Sequence, residues 1–363
     1  GWNVSVLYFK NNTRADLPFI DPAIKAVQIP DIRCDEFTTR FPDADKVIGY
    51  LKEYIQENDI HYLINQWWPV EYIRGIRGRY KTKIVTCLHQ ALYTPMIEGT
   101  GINGFLKKRC TSLYKFWKKR HSCRQVTRFL PHTDKYIFLS PAFQHQYEQF
   151  ANHKNTNRQL GAIPNPLVYP NEIRPEDLQS KEKTVLLVGR MVEIQKRITR
   201  AIKIWSAIEN DPRLDEWNFR IVGEGPDLAM YKQLAQTLGL KRISFEGFRN
   251  PQPYYKQAAI FMMTSAFEGF PMTLVEAQQC GVVPVVMDSY LSLHDIVETG
   301  YNGIIVSNED LTGYVNKIKE LMTDTSLREK LAMNGLHSCR RFCVEEIVNN
   351  WEELFNDLSA NRR

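Results

Sequence analysis

Two consecutive series of short β-rich runs, each alternating with helical patterns, fill almost the whole chain and are parted by Ile163-Pro164-Asn165-Pro166-Leu167. Strands that alternate with helices predict α/β units with parallel sheets, because a parallel neighbour can be reached only by a crossover. The two prolines of the interruption forbid a helix interior and a central strand. It therefore reads as a linker, continued by polar residues from Asn171 to Lys183. The first series predicts strands near 3–9, 60–65, 83–88, 135–139 and 160–163, with helices near 44–58, 103–128 and 141–151. The second predicts strands near 184–188, 218–222, 243–246, 260–264, 283–287 and 303–306. Its helices fall near 196–209, 227–238, 272–280, 309–322, 326–336 and 344–358. The expected architecture is two facing Rossmann-like domains, 1–165 and 166–343, with a cleft between them and a C-terminal helix in 344–363 packing back toward the first. Ligands of such sheets bind beyond the carboxyl ends of the strands. Trp2 to Tyr8 already reads as a strand and no initiator Met precedes it, so the first unit is expected to lack its own first strand and helix.

At 363 residues, 43% hydrophobic and 24% charged, the chain excludes disordered, collagenous and disulfide-scaffold classes. Cys34, Cys87, Cys110, Cys123, Cys280, Cys339 and Cys343 are odd in number and contain no C-x-x-C pair. That scatter favours reduced thiols in a cytoplasmic setting over disulfides or a structural zinc site. No apolar run approaches the roughly 18 residues that span a bilayer. The net charge of +6 is not diffuse: residues 105–129 carry +9, leaving −3 for the remainder. Lys107, Lys108, Arg109, Lys115, Lys118, Lys119, Arg120, Arg124 and Arg128 are interleaved there with Leu106, Leu113, Tyr114, Phe116, Trp117 and Val126. Such a stretch suits an amphipathic helix resting on an anionic membrane surface. The competing reading is a solvated helix whose aromatic residues pack inward; nucleic acid is disfavoured because no binding motif accompanies the charge.

The most informative segment runs from Thr264 to Gly281, out of a buried strand, through Glu268-Gly269-Phe270-Pro271 and into a helix. Pro271 suits the first helical turn and Gly281 the C-terminal cap. Free amides at the helix start, from Gly269, Phe270, Pro271 and Met272 through Thr273 and Leu274, offer a phosphate cradle, proline supplying none of its own. Glu268 and Glu276 stand on either side of that start, and carboxylates accept hydrogen bonds from the vicinal hydroxyls of a sugar. Acidic residues near a helix start are common in any case, since they suit the dipole. A second segment places Gly189 and Arg190 at a strand's end, with Lys196-Arg197 opening the next helix. A guanidinium fork and an ammonium there can neutralise a diphosphate, although cations at a helix start are more often plain surface. Gly223-Glu224-Gly225 follows a strand but has Leu228 where a dinucleotide fingerprint needs its third glycine. No HExxH, DxD or Cys/His cluster offers a convincing metal site.

Together, Glu268-x7-Glu276 with its Gly-Phe-Pro-Met-Thr-Leu insert and Gly189-Arg190 followed by Lys196 resemble the retaining, nucleotide-sugar-dependent glycosyltransferases of GT-B fold, family 4 (group 1) type. Gly223-Glu224-Gly225-Pro226, Phe245-Glu246-Gly247-Phe248, Cys280-Gly281-Val282-Val283-Pro284 and Gly300-Tyr301-Asn302-Gly303 extend the resemblance, strongly over about 160–358 and weakly before it. The resemblance implies that Arg190 and Lys196 bind the donor diphosphate, Glu276 the ribose, Glu268 the transferred sugar, and the Thr273 and Leu274 amides the distal phosphate. His89, after the strand Ile84 to Leu88, matches a position near the donor sugar's 6-hydroxyl; a lone His there is otherwise structural. Implied further are no bound cofactor or metal, and a nucleotide-diphosphate sugar as co-substrate, UDP favoured over GDP. The donor's sugar and base are both expected to be set around Phe248 to Tyr255 and Glu268 to Met272. The acceptor is expected to be a glycolipid or polysaccharide precursor, as in capsule or lipopolysaccharide assembly, met at the inner face of a membrane. The alternative is a catalytically silent, nucleotide-sugar-binding or membrane-docked scaffold of the same fold. A GT-B epimerase or phosphorylase fits the motifs less well.

Overall fold

The computed structural model describes residues 2–11, 21, 23–34, 44–66, 68–78, 80–93, 111–152, 154, 158–167, 169 and 173–360. All strand pairs among them are parallel, in three sheets. β1 (Ser5–Asn11) pairs only with β2 (Lys25–Cys34). After α1 (Ala44–Glu57) come β3 (Tyr62–Asn65), α2 (Val70–Ile76), β4 (Lys83–Leu88), α3 (Thr111–Phe129), β5 (Lys135–Phe138), α4 (Pro141–Ala151) and β6 (Leu160–Ala162). β3 to β6 lie side by side in chain order.

Beyond the linker follow β7 (Glu182–Val188), α5 (Glu193–Lys196), α6 (Ile198–Glu209), β8 (Asn218–Val222), α7 (Leu228–Thr237) and β9 (Ile243–Gly247). Then come α8 (Gln252–Gln257), β10 (Ala258–Met263), α9 (Met272–Gln279), β11 (Val283–Asp288) and β12 (Ile304–Ser307). α10 (Leu311–Thr323), α11 (Thr325–Ser338) and α12 (Val344–Ala360) close the chain. The six strands are ordered β12-β11-β10-β7-β8-β9. Counted from β7, this is the doubly wound order 3-2-1-4-5-6, in which the order of strand addition reverses between β7 and β10 while every strand stays parallel. Every residue of β10 is buried, as its unbroken apolar sequence requires of a central strand covered on both faces. One face packs Trp205 and Phe219 among α6, α10 and α11; the other packs Phe261, Leu274 and Val286.

The two larger sheets are joined by packing as well as by the linker. Ile347, Trp351, Phe355 and Leu358 of α12 pack on Val85, Cys87, Ile137 and Ile163 of the first sheet. The Tyr62 hydroxyl donates to the Phe355 carbonyl at 3.0 Å. Asp295, from the second unit, accepts from the Ser140 hydroxyl and from the Ala142 amide at 3.4 Å, and so sits at the N-terminus of α4. Cys87, Cys123, Cys280 and Cys339 are buried free thiols. Burial pushes Cys87 and Cys339 up to about 12, which removes them as nucleophiles near neutrality. Among the described residues no helix is long and apolar enough to cross a membrane.

Several elements differ from the sequence reading for identifiable reasons. β2 contains Pro30, which argues against a central strand, yet it survives because β2 has only one partner. α2 and α8, of seven and six residues, are too short to display a period. The helix expected over 196–209 is broken: α5 ends at Lys196, Arg197 is left-handed at φ 48°, and α6 starts afresh. Lys196 therefore closes one helix, and Arg197 caps both its end and the start of the next. The helix expected over 103–128 is described from Thr111, and residues 103–110, with Lys107, Lys108 and Arg109, lie outside the described residues.

Candidate active site

At the reversal between β7 and β10, the loops after the two strands stand side by side. The loop after β7 carries Gly189 and exposed Arg190 and leads into α5. α5 is fixed from two directions. Its first amide, Glu193 N–H, donates to Asp227 at 2.7 Å, and the Glu193 carboxylate in turn accepts from the Thr199 amide at 3.2 Å. The loop after β10 is stitched to the end of α5 by the Ala266 amide donating to the Gln195 carbonyl at 2.7 Å. The Thr264 hydroxyl adds bonds to the Lys196 and Arg197 carbonyls at 3.2 and 3.1 Å. Left-handed Arg197 is what turns the chain so that those carbonyls face Thr264.

These loops bring Lys196 and Glu268 together. Lys196 Nζ donates to Glu268 Oε1 at 2.7 Å, and Gln195 Nε2 to Glu268 Oε2 at 3.2 Å. The two charged side chains are only 15% and 8% exposed. The Lys196 stem runs past Gly189, where a Cβ would stand 3.3 Å from Lys196 Cε, so the missing side chain leaves room for the lysine. Gln195 was not singled out in the sequence, where nothing in a Glu-Ile-Gln-Lys run marks the glutamine.

The α9 end of the site is built differently from expectation in two details. Pro271 caps α9 instead of occupying its first turn, and the Leu274 amide already donates to the Pro271 carbonyl at 2.9 Å. The amides left without an intrahelical acceptor at this start are those of Met272 and Thr273. Phe270 is buried against Phe342, their ring centroids 5.4 Å apart, which anchors the loop from below. Gly281 does cap the far end, at φ 65°. Glu276 does not share partners with Glu268: its Oε2 accepts from the Tyr255 hydroxyl at 2.9 Å. Tyr255 is wholly buried, so it supports Glu276 from behind and cannot touch a base, whereas Phe248 at the end of β9 is 81% exposed.

The main chain at His89 reaches the same place from the sheet of β3 to β6. His89 follows β4, its Nε2 meets the Gln66 side chain, and burial pulls its pKa down, favouring neutral imidazole. Gly269 lies against the main chain there: a Cβ on it would stand 3.1 Å from both the His89 carbonyl oxygen and Gln90 Cα. A Cβ at 269 would require the main chain at His89 and Gln90 to give by a few tenths of an ångström, which favours the glycine beside Glu268. Among the described residues no group of three His, Cys, Asp or Glu side chains converges as metal ligands would.

Residues 169–337 match the sequence model of the glycosyl transferases group 1. An exopolysaccharide phosphotransferase of Streptomyces coelicolor is 28% identical over 207 residues, 56% of this chain and 21% of that protein. A GalNAc-alpha-(1->4)-GalNAc-alpha-(1->3)-diNAcBac-PP-undecaprenol alpha-1,4-N-acetyl-D-galactosaminyltransferase of Campylobacter jejuni is 23% identical over 240 residues, 64% of each chain. The chain thus spans less than two thirds of the length of these relatives. Anabaena HepE, solved in complex with UDP, superposes with a TM-score of 0.66 at 18% identity, over 92% of this chain and 86% of that one. The fold is GT-B.

Within the segment that matches the group 1 glycosyl transferases, Tyr255 and Glu276 make a pH-sensitive pair. Burial raises the Glu276 carboxyl above the ordinary carboxylate range, and the Tyr255 hydroxyl, which donates to the ionised form, works against that rise. A raised acid binds its proton more tightly in the native than in the unfolded state, so this group costs stability as pH rises through the ordinary carboxylate range. If Glu276 must be ionised to accept a hydroxyl, ligand affinity falls on acidification earlier than for an exposed glutamate. Tyr255→Phe is expected to move that acid limb to higher pH and to weaken nucleoside-diphosphate binding about tenfold at neutral pH, the weight of one hydrogen bond to a charged group. Calorimetric titration across pH checks this, and an unshifted limb excludes the pair from binding.

Proposed function

We propose that this chain is a retaining glycosyltransferase that moves a sugar from a nucleoside-diphosphate sugar, UDP favoured over GDP, to a hydroxyl of a glycolipid or polysaccharide precursor. The observation that carries the reading is the Lys196–Glu268 pair, held at the topological switch point, with exposed Arg190 following the Gly189 along which the Lys196 stem runs. Lys196 and Arg190 neutralise the donor diphosphate, and the Met272 and Thr273 amides cradle the distal phosphate at the positive end of α9. Glu276 accepts from the ribose hydroxyls and Glu268 from the transferred sugar, with neutral His89 supplying a hydrogen bond near the sugar's 6-hydroxyl. Residues 166–343 take the donor and residues 1–165 the acceptor, with 344–363 bridging them.

As the bond from the anomeric carbon to the phosphate oxygen loosens, negative charge grows on the departing diphosphate. Arg190 and Lys196 meet that charge where it develops, which is electrostatic stabilisation without need of a metal. The acceptor hydroxyl then attacks from the face the diphosphate leaves and passes its proton to the departing phosphate oxygen, so configuration is retained. UDP in the solved HepE complex supports the choice of base, and the undecaprenol-linked substrate named for the Campylobacter relative supports a lipid-linked acceptor. On this reading the protein works in the cytoplasm, peripheral to the inner face of a membrane.

A thermal-shift panel of nucleoside diphosphates and their sugars tests the reading. At a UDP concentration a hundredfold above its Kd the expected stabilisation is about 2.7 kcal/mol, with a smaller shift for the other bases at that same concentration and a reduced one in Arg190→Ala. No shift with any nucleotide overturns it. A shift without turnover of any lipid-linked or oligosaccharide acceptor favours the silent scaffold.

A further inference from the structure

The described part of the basic segment, 111–129, holds six Lys and Arg and no acid. Its inward face is already used: Cys123 and Val126 are buried in the cluster that contains Phe138 and Tyr147. Val126 is therefore core and not part of an outward apolar face. The opposite stripe is split along the helix instead of around it. Leu113, Phe116 and Trp117, in the first two turns, are 58%, 56% and 56% exposed. Arg120, Arg124 and Arg128 continue the same stripe at four-residue spacing, all exposed.

The arginine half borders an open groove of about 550 Å³ between α3 and the end of α4, lined by Lys119, Arg120, Arg124 and Arg128 and bounded by Phe116 and Phe150. Lys119 Nζ lies 4.3 Å from the Phe150 ring centroid, and Arg128 pairs with Glu71 at 2.7 Å. Arg120 and Arg124 make no ion pair among the described residues. A groove with four cations, no acid and an aromatic rim complements a phosphate that carries an apolar chain.

We propose that α3 enters a bilayer interface tip-first, with Leu113, Phe116 and Trp117 in the acyl boundary and the Arg120–Arg124 groove holding the phosphate of an anionic lipid. From Trp117 to Arg124 is about 10 Å along the axis, which matches the depth to which interfacial helices sink their apolar side. A helix lying flat would need an apolar stripe along its whole length, and the second half of α3 has none. The inference deepens the membrane-side acceptor of the proposed function and rests on that part of it alone.

Vesicle flotation tests it without donor or turnover. The protein is expected to float with phosphatidylcholine–phosphatidylglycerol vesicles and to stay behind with phosphatidylcholine alone. Arg120→Glu/Arg124→Glu should lower partitioning at least about thirtyfold, the weight of two interfacial cations. Leu113→Ser/Trp117→Ser should lower it about tenfold or more. Brominated lipid should quench a component of tryptophan fluorescence that disappears in Trp117→Phe. All these positions are exposed, and circular dichroism verifies that the variants fold. Equal binding to both vesicle types, wild-type binding by the arginine variant, or no Trp117 component overturns the proposal. So does heparin held by Arg120 and Arg124 as tightly as anionic vesicles, which assigns the groove to a soluble polyanion. Failed flotation with transfer to a soluble acceptor intact sinks this inference only, and the converse sinks only the catalytic reading.

Discussion

Arg190→Ala should lose about 10²–10³ in turnover, the usual cost of removing one donor aimed at a developing negative charge. Its stability should move by no more than about 0.5 kcal/mol, because Arg190 is exposed. Lys196→Ala should lose turnover to a similar degree but should not leave the fold untouched. Glu268 is buried and receives Lys196 Nζ at 2.7 Å, so deleting the lysine strands a carboxylate away from water. Breaking one partner of such a pair costs about 3–5 kcal/mol. Glu268→Gln in the Lys196→Ala background should restore most of that stability, since Gln195 can rearrange to serve a neutral amide, and should restore none of the turnover. Kinetics and denaturant melts of the three variants separate the roles. Wild-type turnover in Arg190→Ala would falsify the diphosphate assignment, and an unchanged melt for Lys196→Ala would show that the pair holds nothing together.

That difference between two neighbouring cations was beyond the reach of the sequence. Gly189-Arg190 and Lys196 marked a strand's carboxyl end correctly, because β7 is an apolar run of helix-incompatible length and its end is legible. What a linear reading cannot supply is which carboxylate each cation meets across a sheet. Glu268 and Glu276 looked equivalent on either side of α9, yet one is paired with Lys196 and the other with Tyr255. Tyr255 lay inside a stretch read as base-contacting, and only its complete burial turns it into a support for Glu276. In the first half, β4 and α4 were read to their observed ends, since each has a sharp boundary: Leu88 before His89, and Ser140-Pro141 at a capped helix start. β2 and α2 were not read, because a proline in one and the brevity of the other erase the periodic signal on which such readings depend. The charge of 105–129 was visible from composition, but its lengthwise division depends on knowing which side of α3 is buried.

Gly223→Ala should destabilise the protein by about 3–5 kcal/mol, among the larger effects a single methyl can have, and should take nucleotide binding with it. The Gly223-Glu224-Gly225 run is not a dinucleotide loop but the point where the loops after three strands interlock. The Gly223 amide donates to the Gly247 carbonyl at 2.8 Å, and the Gly189 amide to the Val222 carbonyl at 3.0 Å. The Met191 amide adds a bond to the Glu224 carbonyl at 2.7 Å. To lie this close, Gly223 adopts φ 140°, where a side chain is strained by itself, and a Cβ would stand 2.0 Å from the Gly189 carbonyl oxygen. Backbone cannot swing aside as a flexible side chain can, so the methyl has to push Gly189 away. Gly189 is the residue along which the Lys196 stem runs, and Arg190 is its neighbour. The displacement therefore passes straight to both cations proposed to bind the diphosphate. By contrast, Gly239→Ala meets open space, and its only strain is φ 70°; about 1–2 kcal/mol is expected there, with nucleotide affinity unchanged. Loss of stability in Gly223→Ala with unaltered UDP binding would mean that the loop after β7 holds its shape without its neighbour. The cations would then owe their position to α5 alone.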